Sequence, residues 1–240
     1  MIAITLLTYK PEGELGEARQ RYAEDTLAAL FKHIRTKDDL WLAIADDGSA
    51  PEYREHLWEL AGKYVGSNRS ITNSERRGYG GNYNLSTQVT HNLAGLTALL
   101  PLEDDWKLER TLDLDPLVRV LQTEPAIGCI RLGYVGYIPG QSLRGTFLWA
   151  EDQHFLVLDP YSESQYVFSG HPRLESVEWA RSVGPWPEGL PAGETELAVS
   201  GRLDARYRVA WPLDLIPPKG GLFSHIGTHQ AKNEPLKALV

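Results

Sequence analysis

Cysteine occurs once in these 240 residues, at Cys129, so no disulfide can form within the chain and no cysteine-built zinc site is available. The fold has to stand on packing. Long apolar runs are missing too: a stretch such as Leu96 to Leu102 falls far short of the ~20 residues needed to cross a bilayer. Met1 leads straight into a strand-like run with no basic, apolar, small-residue leader before it. The expectation is a soluble, unprocessed, cytoplasmic protein with no integral membrane segment. Basic residues are in deficit, 24 Lys and Arg against 32 Asp and Glu, which repels polyanions at long range and argues against broad, charge-driven nucleic-acid binding. After the first strand, Tyr9-Lys10-Pro11-Glu12-Gly13 lacks the glycine repeat with a Lys or Arg that grips a triphosphate, which places a nucleotidyltransferase well below other readings. There is no internal repeat and no low-complexity segment.

What is present is ordinary globular material: 42% hydrophobic and 23% charged residues can bury a real core as one large α/β domain or two small ones. Seven tryptophans exceed the usual need of such a core; most are expected to pack, and some to offer aromatic faces to sugars or bases.

The pattern along the first half is regular. A strand over Ala3 to Thr8 is followed by a helix over Leu15 to Ile34, with Ala18, Tyr22, Leu27, Leu30 and Phe31 at helical spacing. A second strand, Leu40 to Ala45, closes on Asp46-Asp47-Gly48-Ser49, and Pro51 opens a helix running to Val65. A third strand spans Arg69 to Thr72. After Gly78-Tyr79-Gly80-Gly81 a helix over Asn82 to Leu96 leads into a fourth strand, Ala98 to Leu102, which ends on Glu103-Asp104-Asp105. Alternation of this kind indicates an α/β fold with a mainly parallel sheet wrapped on both faces, which binds ligands at the carboxyl ends of its strands. The second half reads as mixed: a helix over Pro116 to Leu121 capped by Asp115, a strand over Ala126 to Tyr134 and a hairpin within Gly145 to Leu158. Helices are expected over Leu174 to Val183 and Glu194 to Leu203, a strand over Tyr207 to Trp211, and a loosely held tail from about Gln230.

Carboxylates at a strand end can hold Mg²⁺ or Mn²⁺, which prefer oxygen ligands, and such a cation can answer negative charge building on a departing diphosphate. In Glu103-Asp104-Asp105, strand alternation sends residues 103 and 105 to one side and Asp104 away. The same three acids also suit a solvated turn or a helix start.

The ordered set Thr8-Tyr9, Asp46-Asp47-Gly48-Ser49, Asn73 with Gly78-Tyr79-Gly80-Gly81-Asn82, and Leu102-Glu103-Asp104-Asp105 resembles glycosyltransferase family 2, closely over residues 1 to 110 and more thinly beyond. The resemblance implies a GT-A fold, Rossmann-like with a mixed acceptor-side half. It divides the chain into a nucleotide-sugar-binding half (1–110), an acceptor and catalytic-base half (111–229) and a tail (230–240). It further implies a nucleoside-diphosphate sugar donor, a UDP-sugar such as UDP-glucose being favoured, with Mn²⁺ or Mg²⁺ as cofactor and inversion at the anomeric carbon. By motif position Thr8 and Tyr9 look like nucleoside contacts and Asp46 or Asp47 like the carboxylate that reads the base. Asp105 looks like the metal ligand, in a DXD-like motif. Glu103 looks like the ribose or outer metal contact, its longer arm standing where many relatives carry Asp, and Asp104 completes the cluster.

Gly78, Gly80 and Asn82 belong to a segment whose glycines suit either a plain turn or close approach to a ligand. Arg76 and Arg77 before them are placed to face donor phosphate, which guanidinium matches in pairs. An inverting transfer also needs a base for the acceptor proton. Gly193-Glu194-Thr195-Glu196-Leu197, followed by Arg202-Leu203, resembles the family's acidic helix start; matching Glu196-Leu197 to its closing acid and leucine leaves Glu194 as the base, with Glu196 as the alternative. Ser224-His225-Ile226-Gly227 resembles the segment that returns a histidine to the metal or diphosphate, His229 being a weaker candidate. The loop Phe168-Ser169-Gly170-His171-Pro172 has the place of an acceptor-facing loop, making His171, Trp179 and Trp186 acceptor-side candidates. The acceptor itself stays open among saccharide, protein, small molecule and, by analogy with phage-type enzymes, a hydroxymethylated DNA base.

Overall fold

The computed structural model describes residues 1–133, 144–162, 167–203, 206–215 and 221–227. Its elements run β1 (Ile2–Thr8), α1 (Gly13–His33), β2 (Ile34–Arg35), β3 (Leu40–Asp46), α2 (Pro51–Val65), β4 (Arg69–Asn73), α3 (Gly78–Thr90), β5 (Ala98–Glu103), β6 (Trp106–Leu108) and β7 (Leu112–Asp113). They continue with α4 (Asp115–Thr123), β8 (Ile127–Arg131), β9 (Gly145–Ala150), β10 (Gln153–Leu158), β11 (Arg173–Ser176), α5 (Val177–Val183), α6 (Ala192–Ser200), β12 (Arg208–Pro212) and β13 (Phe223–His225). Among the described residues nine strands make one sheet in the order β4-β3-β1-β5-β11-β8-β12-β10-β9. β4, β3, β1 and β5 are parallel, β11 runs antiparallel between β5 and β8, and the β9–β10 hairpin closes the far edge.

Successive residues of a strand point to opposite faces, and β1 shows what that does here. Ile2, Ile4 and Leu6 join one core cluster, packed with Leu27 and Leu30 of α1, Leu57 of α2 and Leu117 of α4. Leu7 joins a second cluster, with Tyr83 of α3, Trp179 of α5 and Val199 of α6. A parallel strand covered on both faces is predominantly apolar, and all seven residues of β1, Thr5 and Thr8 included, are buried. Among the described residues no helix is long and apolar enough to cross a membrane.

Local differences from the sequence expectations have physical causes. The helix expected over Leu174 to Val183 is instead strand β11 followed by α5: Arg173–Ser176 lies fully buried between β5 and β8, and Ser176 then caps α5, its Oγ accepting from Trp179 N at 3.1 Å. Asp115 is not the cap of α4, which is Leu114; its carboxylate instead accepts from Thr36 Oγ1 at 2.8 Å and Lys37 N at 3.0 Å, tying the helix to the chain after β2. α3 starts at Gly78 and ends at Thr90, not at Asn82 and Leu96, so the glycines form its first turn. Gly78 takes φ +77°, and a Cβ on Gly80 would lie 1.9 Å from the Pro187 carbonyl oxygen. Gly80→Ala is therefore expected to cost about 1–3 kcal/mol, read as a lower melting temperature, since a backbone group rather than a mobile side chain has to move. β8 ends at Arg131; Tyr134, His229 and the 230–240 tail lie outside the described residues.

Candidate active site

The carboxyl ends of β1, β3 and β5 open into a cleft of 630 Å³. Of the residues singled out in the sequence, Thr8, Tyr9, Asp47, Arg76, Gly78, Asn82, Glu103, Asp105, His171, Glu196 and His225 line it. Asp46, Arg77, Gly80, Asp104, Glu194, Trp179 and Trp186 do not. Arg19, Tyr79 and Trp106 line it as well and were not anticipated.

The three acids divide as the sequence reading expects, although only Glu103 belongs to a strand and Asp104 and Asp105 form the turn between β5 and β6. Glu103 ends β5 and Asp105 reaches the cleft, while Asp104 turns into the protein and is fully buried. There Asp104 accepts from Thr8 Oγ1 at 2.6 Å and from Arg19 Nη2, and its main-chain carbonyl accepts from Thr26 Oγ1 at 3.0 Å. Thr8 Oγ1 is 2.6 Å from the Tyr53 hydroxyl, which must donate to it. Burial holds Asp104 up at about 6, with Arg19 pulling the other way. Burial, reinforced by like charge on Asp105 and Glu196, pushes Glu103 well above the usual carboxylate range. A signal for Arg19 existed in the sequence: it lies seven residues before Thr26, two helical turns along the face that also carries Ala23 and Leu30.

Asp105 is 6% exposed; its Oδ2 is 3.3 Å from His225 Nε2, and its Oδ1 is buried with no hydrogen-bond partner. The hydrogen bond to Asp105 raises the His225 pKa. His225 arrives because β13 pairs antiparallel with β6, setting it opposite Trp106, and Ile226 N then donates to the Asp105 carbonyl at 2.9 Å. A Cβ on Gly227 would lie 2.3 Å from Asp105 Oδ2, so glycine leaves the carboxylate its place. An orphaned carboxylate oxygen beside an imidazole and a second acid fits a hard divalent cation. Among the described residues no three His, Cys, Asp or Glu side chains gather closely enough to hold an ion alone. The protein offers part of a coordination shell that ligand oxygens would have to complete.

At the ends of β1 and β3, Asp46 is fully buried and structural: it accepts from Ser49 N at 2.9 Å and from Ser49 Oγ, and pairs with Arg54 at 3.6 Å. Asp47 borders the cleft, but its two oxygens accept from Arg77 N at 2.7 Å and Gly78 N at 3.0 Å, fastening the start of α3. Burial lifts it to about 6. The Arg76 guanidinium lies over the Tyr9 ring, 4.2 Å from its centroid, at the cleft wall. Arg77 points elsewhere, 3.8 Å from Glu188. Asn82 Nδ2 donates to the Ala45 carbonyl at 2.8 Å, joining α3 to the end of β3.

On the opposite wall the two glutamates are placed differently. Glu194 stands exposed in the first turn of α6, away from the cleft, whereas Glu196 is half-buried and faces it. Glu196 Oε1 accepts from Gly170 N at 2.5 Å; burial raises its pKa against the opposing effects of that bond and of Arg173. The Tyr79 hydroxyl and Arg173 Nη1 both donate to the Gly170 carbonyl, at 3.1 and 2.8 Å, and Arg173 is itself paired with Glu175 at 2.5 Å in full burial. Trp179 and Trp186 are core residues, 0% and 2% exposed, so they present no face to a ligand; Trp186 stacks on Tyr83 with centroids 3.8 Å apart. His171 does reach the cleft, its ring 4.8 Å from that of Trp106.

Burial, with Arg131, His225 and Arg173 nearby, drives His171 down from its ordinary 6.5 to about 3. The unfolded chain binds that proton below 6.5 and the folded one does not until about 3, so this contribution to stability is full above 6.5 and is lost as pH falls. His171→Asn is expected to flatten the decline of melting temperature between about pH 6.5 and 4.5. An unaltered slope would reject the neutral, buried imidazole.

No protein-family model matches the chain, and no curated protein matches its sequence. Solved structures do resemble it. S. aureus TarS 1–349 in complex with UDP superposes with a TM-score of 0.59 at 15% identity, over 88% of this chain and 59% of that one. The mannosyltransferase PcManGT from Pyrobaculum calidifontis, in complex with GDP-Man and Mn²⁺, gives 0.56 at 14% identity over 92% and 58%. GalNAc-T7 with UDP, GalNAc and Mn²⁺ gives 0.57 at 15% over 88% and 43%. The chain thus spans less than two thirds of the length of these proteins. What it shares with them is the GT-A fold: a mixed α/β architecture whose parallel strands end at the cleft.

Proposed function

We propose that this chain is a glycosyltransferase that moves a sugar from a nucleoside-diphosphate donor, a UDP-sugar for preference, to an acceptor hydroxyl with inversion at the anomeric carbon. The observation that carries the reading is Asp105: a nearly buried carboxylate at the end of β5, with Oδ1 unpartnered, His225 at its other oxygen and Glu196 across the same cleft. The ligands bound in the similar structures, UDP, GDP-Man and Mn²⁺, support the same class of donor and metal.

In this reading Asp105 and His225 hold Mn²⁺ or Mg²⁺, with Glu103 at the ribose or the outer metal shell. When bound, the cation answers the negative charge that develops on the leaving diphosphate. The chain's own groups do the rest. Tyr9 and Arg76 form the wall nearest the nucleoside, and the α3 start held by Asp47 keeps that wall in place. Glu196 takes the proton from the acceptor hydroxyl: its raised pKa makes it a stronger base than a solvated carboxylate, and the Gly170 N–H fixes one of its oxygens. His171, kept neutral, and the 190–193 segment line the acceptor side, where saccharide, protein, small molecule or modified DNA is the class to be determined.

A panel of sugar nucleotides with Mn²⁺ or Mg²⁺ tests the reading, scoring transfer or slow hydrolysis and the anomeric configuration of the product by NMR. Turnover abolished by chelator, with inverted product, is expected. Retained configuration would remove Glu196 from its role, and absence of both donor binding and turnover across the panel would end the proposal.

A further inference from the structure

We infer that Arg19 guards the acidic cluster against a free divalent cation, so that the ion enters the cleft together with the donor's diphosphate rather than ahead of it; this deepens, and rests on, the donor-binding reading above. Nothing in the design of a helix sends a guanidinium inward, and burying one is costly unless it is answered by partners. Arg19 is nevertheless only 11% exposed, on the inward face of α1, and it is answered on each arm. Its Nε donates to the Tyr9 carbonyl at 2.9 Å, its Nη2 to Asp104, and its Nη1 stands 4.0 Å from Asp105 Oδ2.

Two consequences follow from that fork. It ties the loop after β1 to the acids after β5, and it places a fixed positive charge beside the carboxylate proposed to bind metal. Asp105 Oδ2 thus faces Arg19 and His225 together, while the unpartnered Oδ1 is left to the ion. A lone divalent cation approaching Oδ1 meets that charge and, among the described residues, no closely gathered set of three ligating side chains. A diphosphate brings the missing oxygens and enough negative charge to reverse the balance. Ion and nucleotide then bind with positive coupling, each strengthening the other by the same factor.

The test is Mn²⁺ affinity of the full chain, by electron paramagnetic resonance or calorimetry, with and without UDP. The wild type is expected to bind free Mn²⁺ weakly and at least about tenfold more tightly with UDP present. Arg19→Gln should raise affinity for free Mn²⁺ by about tenfold, the effect of one charge on a divalent ion about 6 Å away even at the dielectric of water. Arg19→Lys, which keeps the charge, should stay near the wild type. Mere structural damage has the opposite sign, lowering both affinities. Should Arg19→Gln fail to fold, Asp104→Asn is compared with Arg19→Gln/Asp104→Asn, in which the buried pair is removed as a unit; the double variant should bind free Mn²⁺ about tenfold more tightly than the single. Unchanged or weaker binding on loss of the Arg19 charge overturns the inference. Failure of UDP to bind the wild type with Mn²⁺ present would instead sink the donor reading, and the effect of Arg19 on free Mn²⁺ would still be readable on its own.

Discussion

Glu196→Gln is expected to slow transfer by about 10²–10⁴-fold, the range for loss of a positioned general base, with donor affinity nearly intact. The amide keeps the shape and still accepts from Gly170 N, so the α6 start and the 169–171 loop stay in place, but it cannot take a proton. Glu194→Gln, two residues and so about 200° around α6 from Glu196 and exposed to solvent, is expected to leave the rate near that of the wild type. Steady-state rates for the two variants, with donor affinity measured separately, decide between them. The reverse order of effects would return the role of base to Glu194 and require α6 to rotate in the working complex.

Asp105→Ala is expected to lower turnover by about 10²-fold or more, the scale seen when a group that stabilises transition-state charge is removed. Its signature is a joint loss: Mn²⁺ binding in the presence of UDP should fall together with the rate, because the buried Oδ1 is the oxygen with no other partner. Asp104 is the informative neighbour. Its carboxylate is engaged by Thr8 and Arg19 inside the protein, so Asp104→Ala is expected to show first as lost stability, the result of taking the nearest counter-charge from a largely buried guanidinium. Near-normal metal binding and rate in Asp105→Ala would remove the metal assignment.

The parallel half of the sheet was legible because local signals agree with the tertiary outcome there. Apolar runs such as Ile2–Thr8, closed by Pro11 or by Asp46-Asp47-Gly48, are what strands buried on both faces require, and the helices between them carry helical spacing. The second half was harder. Leu174–Ser176, the start of the segment that periodicity assigns to a helix, lies in a strand, where Glu175 is neutralised by Arg173 inside the sheet. Trp179 and Trp186 are acceptor-side candidates by their nearness in sequence to the 168–172 loop, and only their burial shows otherwise.

The sequence by itself determined the class of fold and the strand ends at which polar clusters collect, and strand alternation anticipated that Asp104 parts from Glu103 and Asp105, although the division is made in the turn after β5. Tertiary structure decided which of those groups meet. His225 reaches Asp105 because β13 pairs with β6 across 115 residues of chain, Arg19 reaches it from α1, and Glu196 rather than Glu194 faces the cleft because of how α6 packs against α3. Spacing along a chain governs local direction, whereas these meetings depend on pairing and packing between distant segments, which no local period encodes.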